Sequence, residues 1–337
     1  MRYSYFFNKL IYQIFEDWKV KYIEEILECE IMNGKGIYYP KFVSYLSKST
    51  VNIDKINKLE STIKHHVEIK HENYNYIIKV YHRDLPSFIQ FQYLPTNEIY
   101  LGQSYDGGLR ISFNEYTNMI IGGTTGSGKS NLISGILLNL KCDKIYIDNK
   151  GGADNPLLNY IEVITNIDDG INKLKEINDL IEERLSQLRK NKKTKFKRLI
   201  IVIDEFYPYT LRKDKKEIYS LIGTMLSRCR VAKINFILCS QRVTSEIIPT
   251  LITANIDIRI AMRTASQQES INIIRVPDSF YVKEKGVGYV NLNGDLKKFK
   301  SAYIDEDKIS DYLPKIEESK INQINIIKND NEEKFYI

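Results

Sequence analysis

The chain is poor in the features that would assign it to several large classes of protein. Only four of its 337 residues are cysteine (Cys29, Cys142, Cys229 and Cys239), and no two of them are spaced as CxxC. That leaves no zinc-ribbon or disulfide framework and suits the reduced, buried thiols of a cytosolic protein. No apolar run approaches the ~18–20 residues that cross a bilayer. The N-terminal MRYSYFFNKL lacks the basic-then-apolar layout of a cleavable signal. The four histidines (His65, His66, His71 and His82) cluster in sequence without a cysteine partner or HExxH spacing, so they read as surface or pairing residues rather than metal ligands. Internal repeats and low-complexity tracts are also missing.

What is present begins with 43% apolar residues and a net charge of +6. A chain of this length and composition can bury one large domain or two smaller ones. The basicity is local. Residues 189–198 (RKNKKTKFKR) carry seven basic groups and no acid, and removing those seven from +6 leaves −1. Such a patch suits contact with a phosphate backbone, and equally a solvated loop.

The segment Gly123-Thr124-Thr125-Gly126-Ser127-Gly128-Lys129-Ser130 matches the phosphate-loop pattern G-x-x-x-x-G-K-[ST]. Glycines let the backbone curl so that successive N–H groups face phosphate oxygens. The helix expected over 131–140, opening at Asn131, adds the positive end of its dipole. Lys129 can reach the β- and γ-phosphates, and the Ser130 hydroxyl can ligate Mg²⁺. The loop follows the apolar run Met119-Ile120-Ile121, as a strand–loop–helix cradle requires. The apolar run Leu199–Ile203 then ends in Asp204 and Glu205. Two acids at the carboxyl end of a parallel strand lie where open α/β sheets bind ligands. Asp204 is expected to hold Mg²⁺ through water, and Glu205 to polarise the attacking water. ATP and Mg²⁺ are the cofactors this pattern calls for.

Along the chain, apolar residues at helical spacing (Phe7, Leu10, Ile11, Ile14, Phe15, Trp18, Tyr22, Ile26) predict an N-terminal helical segment within 1–50. A second helix over 53–66 and a hairpin over 67–82 predict a small α+β subdomain spanning 51–95. Strand-like runs at 119–122, 144–148, 199–204, 234–239 and 256–261 alternate with helical segments, notably 171–188. That pattern predicts an α/β domain over 96–310, a parallel sheet covered by helices around a RecA-like P-loop core. The tail 311–337 is polar and reads as mobile.

The stretches IIGGTTGSGKSNLI, IYIDNKGG, LIIVIDEF, CRVAKINFILCSQR and ITANIDIRIAMRTASQQES occur in the order found in the FtsK/SpoIIIE DNA-translocating ATPases. The upstream LGQSYDGGLRISF is similar to the segment before their phosphate loop, so the resemblance covers about residues 50–290. It implies that Gln241 is a polar sensor on the strand between those leading to Lys129 and Asp204. It also implies that Arg230 is an arginine reaching into a neighbouring subunit's site, with Arg242 and Arg259 as weaker candidates. Two departures are small: Val243 stands where relatives carry proline, and Asn149 lies within Asp148-Asn149-Lys150 where many have proline. A larger one is that no membrane span precedes residue 50 and only about 37 residues follow position 300, too few for the winged-helix reader of the family's larger members.

The expectation is a compact cytoplasmic motor that assembles as a ring, a hexamer by family analogy, and moves double-stranded DNA at the expense of ATP. A loading or relaxase-type partner of a mobile element would supply the DNA. Two other functions share the motifs: a protein-secretion ATPase and a non-motor P-loop accessory protein.

Overall fold

In the computed structural model, residues 21–32, 35–47, 66–72, 75–81, 84–93, 98–150, 157, 161–309 and 311–312 are described. They belong to two compact units that divide between Leu85 and Pro86. Residues 1–20 of the expected N-terminal helical segment, residues 53–65 of the helix expected over 53–66 and the tail beyond residue 312 lie outside the described residues.

The smaller unit holds a four-stranded antiparallel sheet. Its strands are β1 (Lys21–Met32), β2 (Lys35–Ser47), β3 (Val67–Glu72) and β4 (Asn75–Tyr81), in the order β1-β2-β4-β3. The hairpin expected over 67–82 is β3–β4. Residues 21–32, however, form a strand rather than the end of a helix. The β1–β2 ladder shifts register between Ile26 and Leu27. In the sequence, apolar residues up to that bulge come in adjacent pairs (Tyr22-Ile23 and Ile26-Leu27), and alternation is regular only over Leu27, Cys29 and Ile31. Strict alternation is therefore confined to the second half of the strand, and the four-residue spacing of the pairs Tyr22-Ile23 and Ile26-Leu27 imitates a helix.

The larger unit is built on a ten-stranded sheet. Its strands are β5 (Glu98–Ser104), β6 (Gly107–Ser112), β7 (Met119–Gly122), β8 (Asp143–Asp148), β9 (Glu162–Ile164), β10 (Leu199–Asp204), β11 (Ile234–Ser240), β12 (Ile258–Met262), β13 (Val287–Leu292) and β14 (Asp295–Ser301). The spatial order is β6-β5-β14-β13-β12-β7-β11-β10-β8-β9. From β12 to β9 the strands are parallel, and β13, β14, β5 and β6 continue the sheet antiparallel. The five expected parallel strands are all present. The antiparallel extension goes beyond the expected parallel sheet, although the chain carries its signal. Leu292 pairs with Asp295 across Asn293-Gly294, both at positive φ (50° and 104°), and Asn-Gly favours that kind of two-residue hairpin turn.

Alternation along the central strands divides the core. Ile121, Val202 and Ile237 pack on one face with Leu132, Ile133 and Ile136 of helix α1 (Lys129–Asn139). Ile120, Ile201, Ile203 and Phe236 pack on the other. The second face is covered by α2 (Ile167–Lys190), which buries Ile171, Leu174, Ile177 and Ile181 at helical spacing, and by α3 (Lys215–Arg228). Asn166 caps α2 by accepting from the backbone N–H groups of Asp168 and Asp169. Acids in its first turn and Arg189 and Lys190 in its last complement the helix dipole. Among the described residues, no helix is long and apolar enough to cross a membrane. Residues 86–93, expected in the subdomain ending at 95, join the larger unit instead: the Phe91 N–H donates to the Tyr303 carbonyl and the Tyr303 N–H to the Ile89 carbonyl.

One buried side chain ties the start of β7 to its surroundings. Asn118 donates to the carbonyls of Leu226 and Asn255 and accepts from the backbone N–H of Phe236. Asn118→Ala strips partners from two buried backbone groups and a half-buried one, at about 1–3 kcal/mol for an unsatisfied buried group. The two buried groups together cost at least about 2 kcal/mol, so the expected outcome is a thermal midpoint lower by at least roughly 4–8 °C, taking about 2–4 °C per kcal/mol for a unit of this size, measured by calorimetry.

Candidate nucleotide site

The site lies where the parallel strands end. β7 delivers the chain into the loop 123–128, and α1 begins at Lys129. Several hydrogen bonds pin the loop from outside. The Thr124 N–H donates to the Arg263 carbonyl at 2.8 Å, the Gly123 N–H to the Ser240 carbonyl at 3.3 Å, and the Gly286 N–H to the Ser127 carbonyl at 2.9 Å. Gly128 closes the loop at φ 105°, and a Cβ there would meet the Gly286 nitrogen at 3.1 Å. Both the conformation and the space require glycine. The first N–H groups of α1 have no intrahelical partner by construction, and they open the helix at the cradle.

Lys129 is 6% exposed, and its Nζ has no hydrogen-bond partner within the chain. Burial pushes its pKa down, and the nearby Lys150 adds to that. The Ser127 hydroxyl is likewise buried without a partner. Buried donors are rarely left in this condition, and a phosphate chain laid in the loop would satisfy both.

The carboxylates stand on the neighbouring strands. Asp204 ends β10, beside the end of β11 on one side and β8 on the other. Its Oδ2 accepts from the Tyr146 hydroxyl at 2.9 Å, and its Oδ1 pairs with Lys150 Nζ at 3.1 Å. Burial, and then Asp204, push the Tyr146 hydroxyl well above the ordinary tyrosine range, so it remains a donor. Glu205 has φ 76° and its N–H donates to the Cys239 carbonyl. The Ser240 hydroxyl donates to its Oε1 at 2.7 Å and the Gln241 N–H to its Oε2 at 3.1 Å. Gln241 completes the group, its Oε1 accepting from the Thr125 hydroxyl at 3.0 Å. β11 does run between β7 and β10, which is why Gln241 reaches the loop and Glu205 together.

Not every residue singled out from the sequence joins this group. Asn131 sits beside the cradle, but its side-chain amide is committed on both ends: Nδ2 donates to the Ile304 carbonyl at 2.7 Å and Oδ1 accepts from the Ile304 N–H at 3.1 Å. Ser130 is exposed on the first turn of α1. Arg230 is exposed in the turn that enters β11, at the end of that strand remote from Ser240, so the fold does not bring it to this chain's own loop. Arg242 is exposed just past Gln241. Arg259 is buried and donates to the carbonyls of Ile273 and Thr253, with burial lowering its pKa to about 10. It is a structural residue. Sequence reasoning overlooked Tyr146, Lys150, Ser240 and Arg263. Lys150 had a signal, lying two residues past Asp148 at the end of a strand expected next to Asp204.

As a site, this arrangement can hold a triphosphate by backbone N–H groups and Lys129. Ser130 and Asp204 are the groups that would hold Mg²⁺, and the ion would neutralise charge on the phosphates. Glu205 is fixed by two donors at the same edge of the sheet.

A model of the FtsK/SpoIIIE family matches residues 97–280. The chain is 27% identical over 274 residues to the DNA translocase FtsK of Staphylococcus aureus strain Mu50, covering 69% of this chain and 34% of that protein. It is 26% identical over 211 residues to the DNA translocase FtsK of Lactococcus lactis subsp. cremoris, covering 52% of this chain and 28% of that protein. It thus spans about a third of the length of the curated relatives it matches. Among solved structures, the conjugation coupling protein TcpA of pCW3, in its monomer form with ATPγS, superposes with a TM-score of 0.66 at 22% identity over 88% of this chain and 94% of that one. The cytoplasmic domain of the type VII secretion ATPase EccC of Thermomonospora curvata gives 0.53 at 23% identity, over 66% and 30%. Both likenesses are of fold.

The unpartnered amine makes a two-sided prediction. Lys129→Met should leave the thermal midpoint of the nucleotide-free chain unchanged or raise it, since the variant removes a buried donor costing about 1–3 kcal/mol. The midpoint rise that ATP produces should disappear. Thermal melts with and without ATP read both effects.

Proposed function

Since the chain belongs to the FtsK/SpoIIIE family, we propose that it is an ATP-driven motor that moves double-stranded DNA, serving transfer, partition or packaging of a mobile element. The observation that carries the ATPase half is the buried, unpartnered Lys129 amine within electrostatic reach of Asp204 and Glu205. The DNA half rests on the family and on the names of the FtsK relatives. The fold likeness to a conjugation coupling protein favours the mobile-element setting.

In this reading the loop 123–128 and the start of α1 bind the phosphates, and Lys129 neutralises the β/γ end. Ser130 and Asp204 hold Mg²⁺. Glu205 orients the attacking water, held in place by Ser240 and the Gln241 backbone, and Gln241 senses the γ-phosphate. These contributions are positioning and electrostatics. Arg230, on the far end of β11, serves a neighbouring copy's site in a ring, taken as a hexamer. The motor works in the cytoplasm, with a loading or relaxase-type protein supplying DNA.

The basic segment is divided by its contacts. Arg198 donates to Asn114, to Asn235 and to the Phe113 carbonyl, and Lys197 pairs with Asp143. Arg189, Lys190, Lys192, Lys193 and Lys195 are exposed, and they are the ones available to DNA phosphates. The fold likeness to EccC keeps a protein-secretion ATPase as the second reading.

Measuring ATPase rate with and without double-stranded DNA over a salt series separates these readings. The motor predicts stimulation that fades as salt rises; a flat response would overturn it in favour of the secretion ATPase or a non-motor protein. Glu205→Gln should retain ATP binding while its hydrolysis falls at least about 10²-fold. Changing the five exposed basic residues to Gln should flatten the salt dependence of DNA binding by up to about one unit of slope for each phosphate no longer neutralised, leaving DNA-free ATPase unchanged.

A further inference from the structure

The basic segment and the turn carrying Arg230 meet on one side chain. Arg184 lies near the end of α2, and its Nη1 donates to the Ala232 carbonyl at 2.8 Å and to the Lys197 carbonyl at 3.1 Å. We propose that Arg184 is a positioning residue that ties the basic segment to the Arg230 turn, so that DNA held by the segment fixes where Arg230 is presented. The coupling rests on the readings of 189–198 as a DNA contact and of Arg230 as serving a neighbouring copy, and adds the physical link between them.

The basic segment is a fastened arch rather than a slack loop. At its crest the Asn191 carbonyl accepts from the Thr194 N–H at 3.1 Å and from the Thr194 hydroxyl at 2.8 Å, while Asn191 Oδ1 accepts from the Lys193 N–H at 3.0 Å. Its return limb is held by Lys197 on Asp143 and by Arg198 on Asn114, Asn235 and the Phe113 carbonyl. Arg189, Lys190, Lys192, Lys193 and Lys195 stay exposed above these contacts. A phosphate backbone that engages them therefore acts on the base of the arch, where Arg184 sits.

The Arg230 turn is held at the same place. The Lys233 N–H donates to the Arg230 carbonyl at 3.2 Å and the Ile234 N–H to the Cys229 carbonyl at 3.1 Å, which closes the turn. Arg230, Val231 and Lys233 are exposed, whereas Ala232 is buried. α2 grips the turn twice: Glu182 pairs with Arg228 just before it, and Arg184 holds the Ala232 carbonyl within it. The Leu199 N–H adds a backbone tie from the end of the arch to the Lys233 carbonyl at 3.1 Å. Arch and turn are thus anchored to a common helix.

The chemistry of arginine suits this position. Its guanidinium is a planar fork of five donors, so one nitrogen can serve two carbonyls while the face of the group lies against a ring. Arg184 Cζ stands 5.1 Å from the centroid of Phe196, and that contact orients the guanidinium and draws in a residue of the arch. Burial lowers the pKa of Arg184, and Asp143 and Glu183 oppose that shift. The group keeps its charge, and a charged donor makes hydrogen bonds roughly twice as strong as a neutral one. Both carbonyls are therefore firmly held by a side chain that lies outside the nucleotide site.

The test follows a double-stranded oligonucleotide from arch to turn, by hydrogen exchange of the full chain and by ATPase rate at saturating DNA. In the unaltered chain, DNA should slow exchange over 189–197 and also over 228–234. Arg184→Met keeps the packing of the stem and removes the donors. Protection over 189–197 should then persist while that over 228–234 is lost, and DNA stimulation should fall about 2–30-fold at an unchanged DNA-free rate. Arg184→Lys, which keeps a charged donor, should retain more of both than Arg184→Met. Protection over 228–234 that survives Arg184→Met overturns the coupling, as does undiminished stimulation, or an unaltered chain protected over 189–197 alone. If Arg184→Met misfolds, Phe196→Leu, which removes the stacking ring, is read in the same way. An unaltered chain that shows neither protection over 189–197 nor stimulation overturns the DNA reading itself, and the coupling with it.

Discussion

The Lys129 ammonium is the constraint around which the larger unit is arranged. An amine enclosed by protein without a hydrogen-bond partner is unfavourable, and rearranging nearby acids could have satisfied it. The fold instead directs those acids elsewhere. Asp204 divides its oxygens between Tyr146 and Lys150, and Glu205 accepts from Ser240 and the Gln241 backbone. The two carboxylates temper the cost through space, while Lys150 adds to it. Positive charge is left concentrated at the mouth of the loop, and anionic oxygens are the natural complement. Binding energy for phosphate is thus stored as unsatisfied hydrogen-bonding capacity in a rigid frame, which is the condition for preorganised recognition.

That frame follows from one topological choice, the position of β7 between β11 and β12. β7 is four residues long and wholly buried. Everything delivered to its carboxyl end is flanked by acids and an amide on one side and by a hairpin-borne platform on the other. The parallel half of the sheet carries the groups suited to phosphate chemistry. The antiparallel half carries Lys285, Gly286 and Tyr303 to the loop's opposite flank.

The parallel half is legible in the sequence because its signals are local and redundant. β-branched runs such as Leu199–Ile203 are followed at once by Asp204-Glu205, and the loop pattern has a defined place between a strand and a helix. The antiparallel half is less so. Lys297, Lys298 and Lys300 make β14 look like solvent-facing coil, and only the Asn293-Gly294 turn betrays its pairing. β1 reads as helix because its apolar pairs Tyr22-Ile23 and Ile26-Leu27 recur four residues apart, where the ladder is irregular. Site residues that act through contacts across the sequence are invisible for a different reason. Tyr146 and Lys150 matter because β8 abuts β10, and Asn131 holds a segment 173 residues away. Such distances leave no periodicity to read.

The backbone at Glu205 also bears on how this chain can change. Its φ of 76° is a conformation that glycine adopts freely and a glutamate at a cost of about 1 kcal/mol. The position thus sets the fold's thermodynamic preference against the carboxylate's usefulness, a stability–activity trade-off in a single residue. Drift under selection for stability alone would move it toward glycine or asparagine. The glutamate holds its carboxylate at the site at that conformational cost.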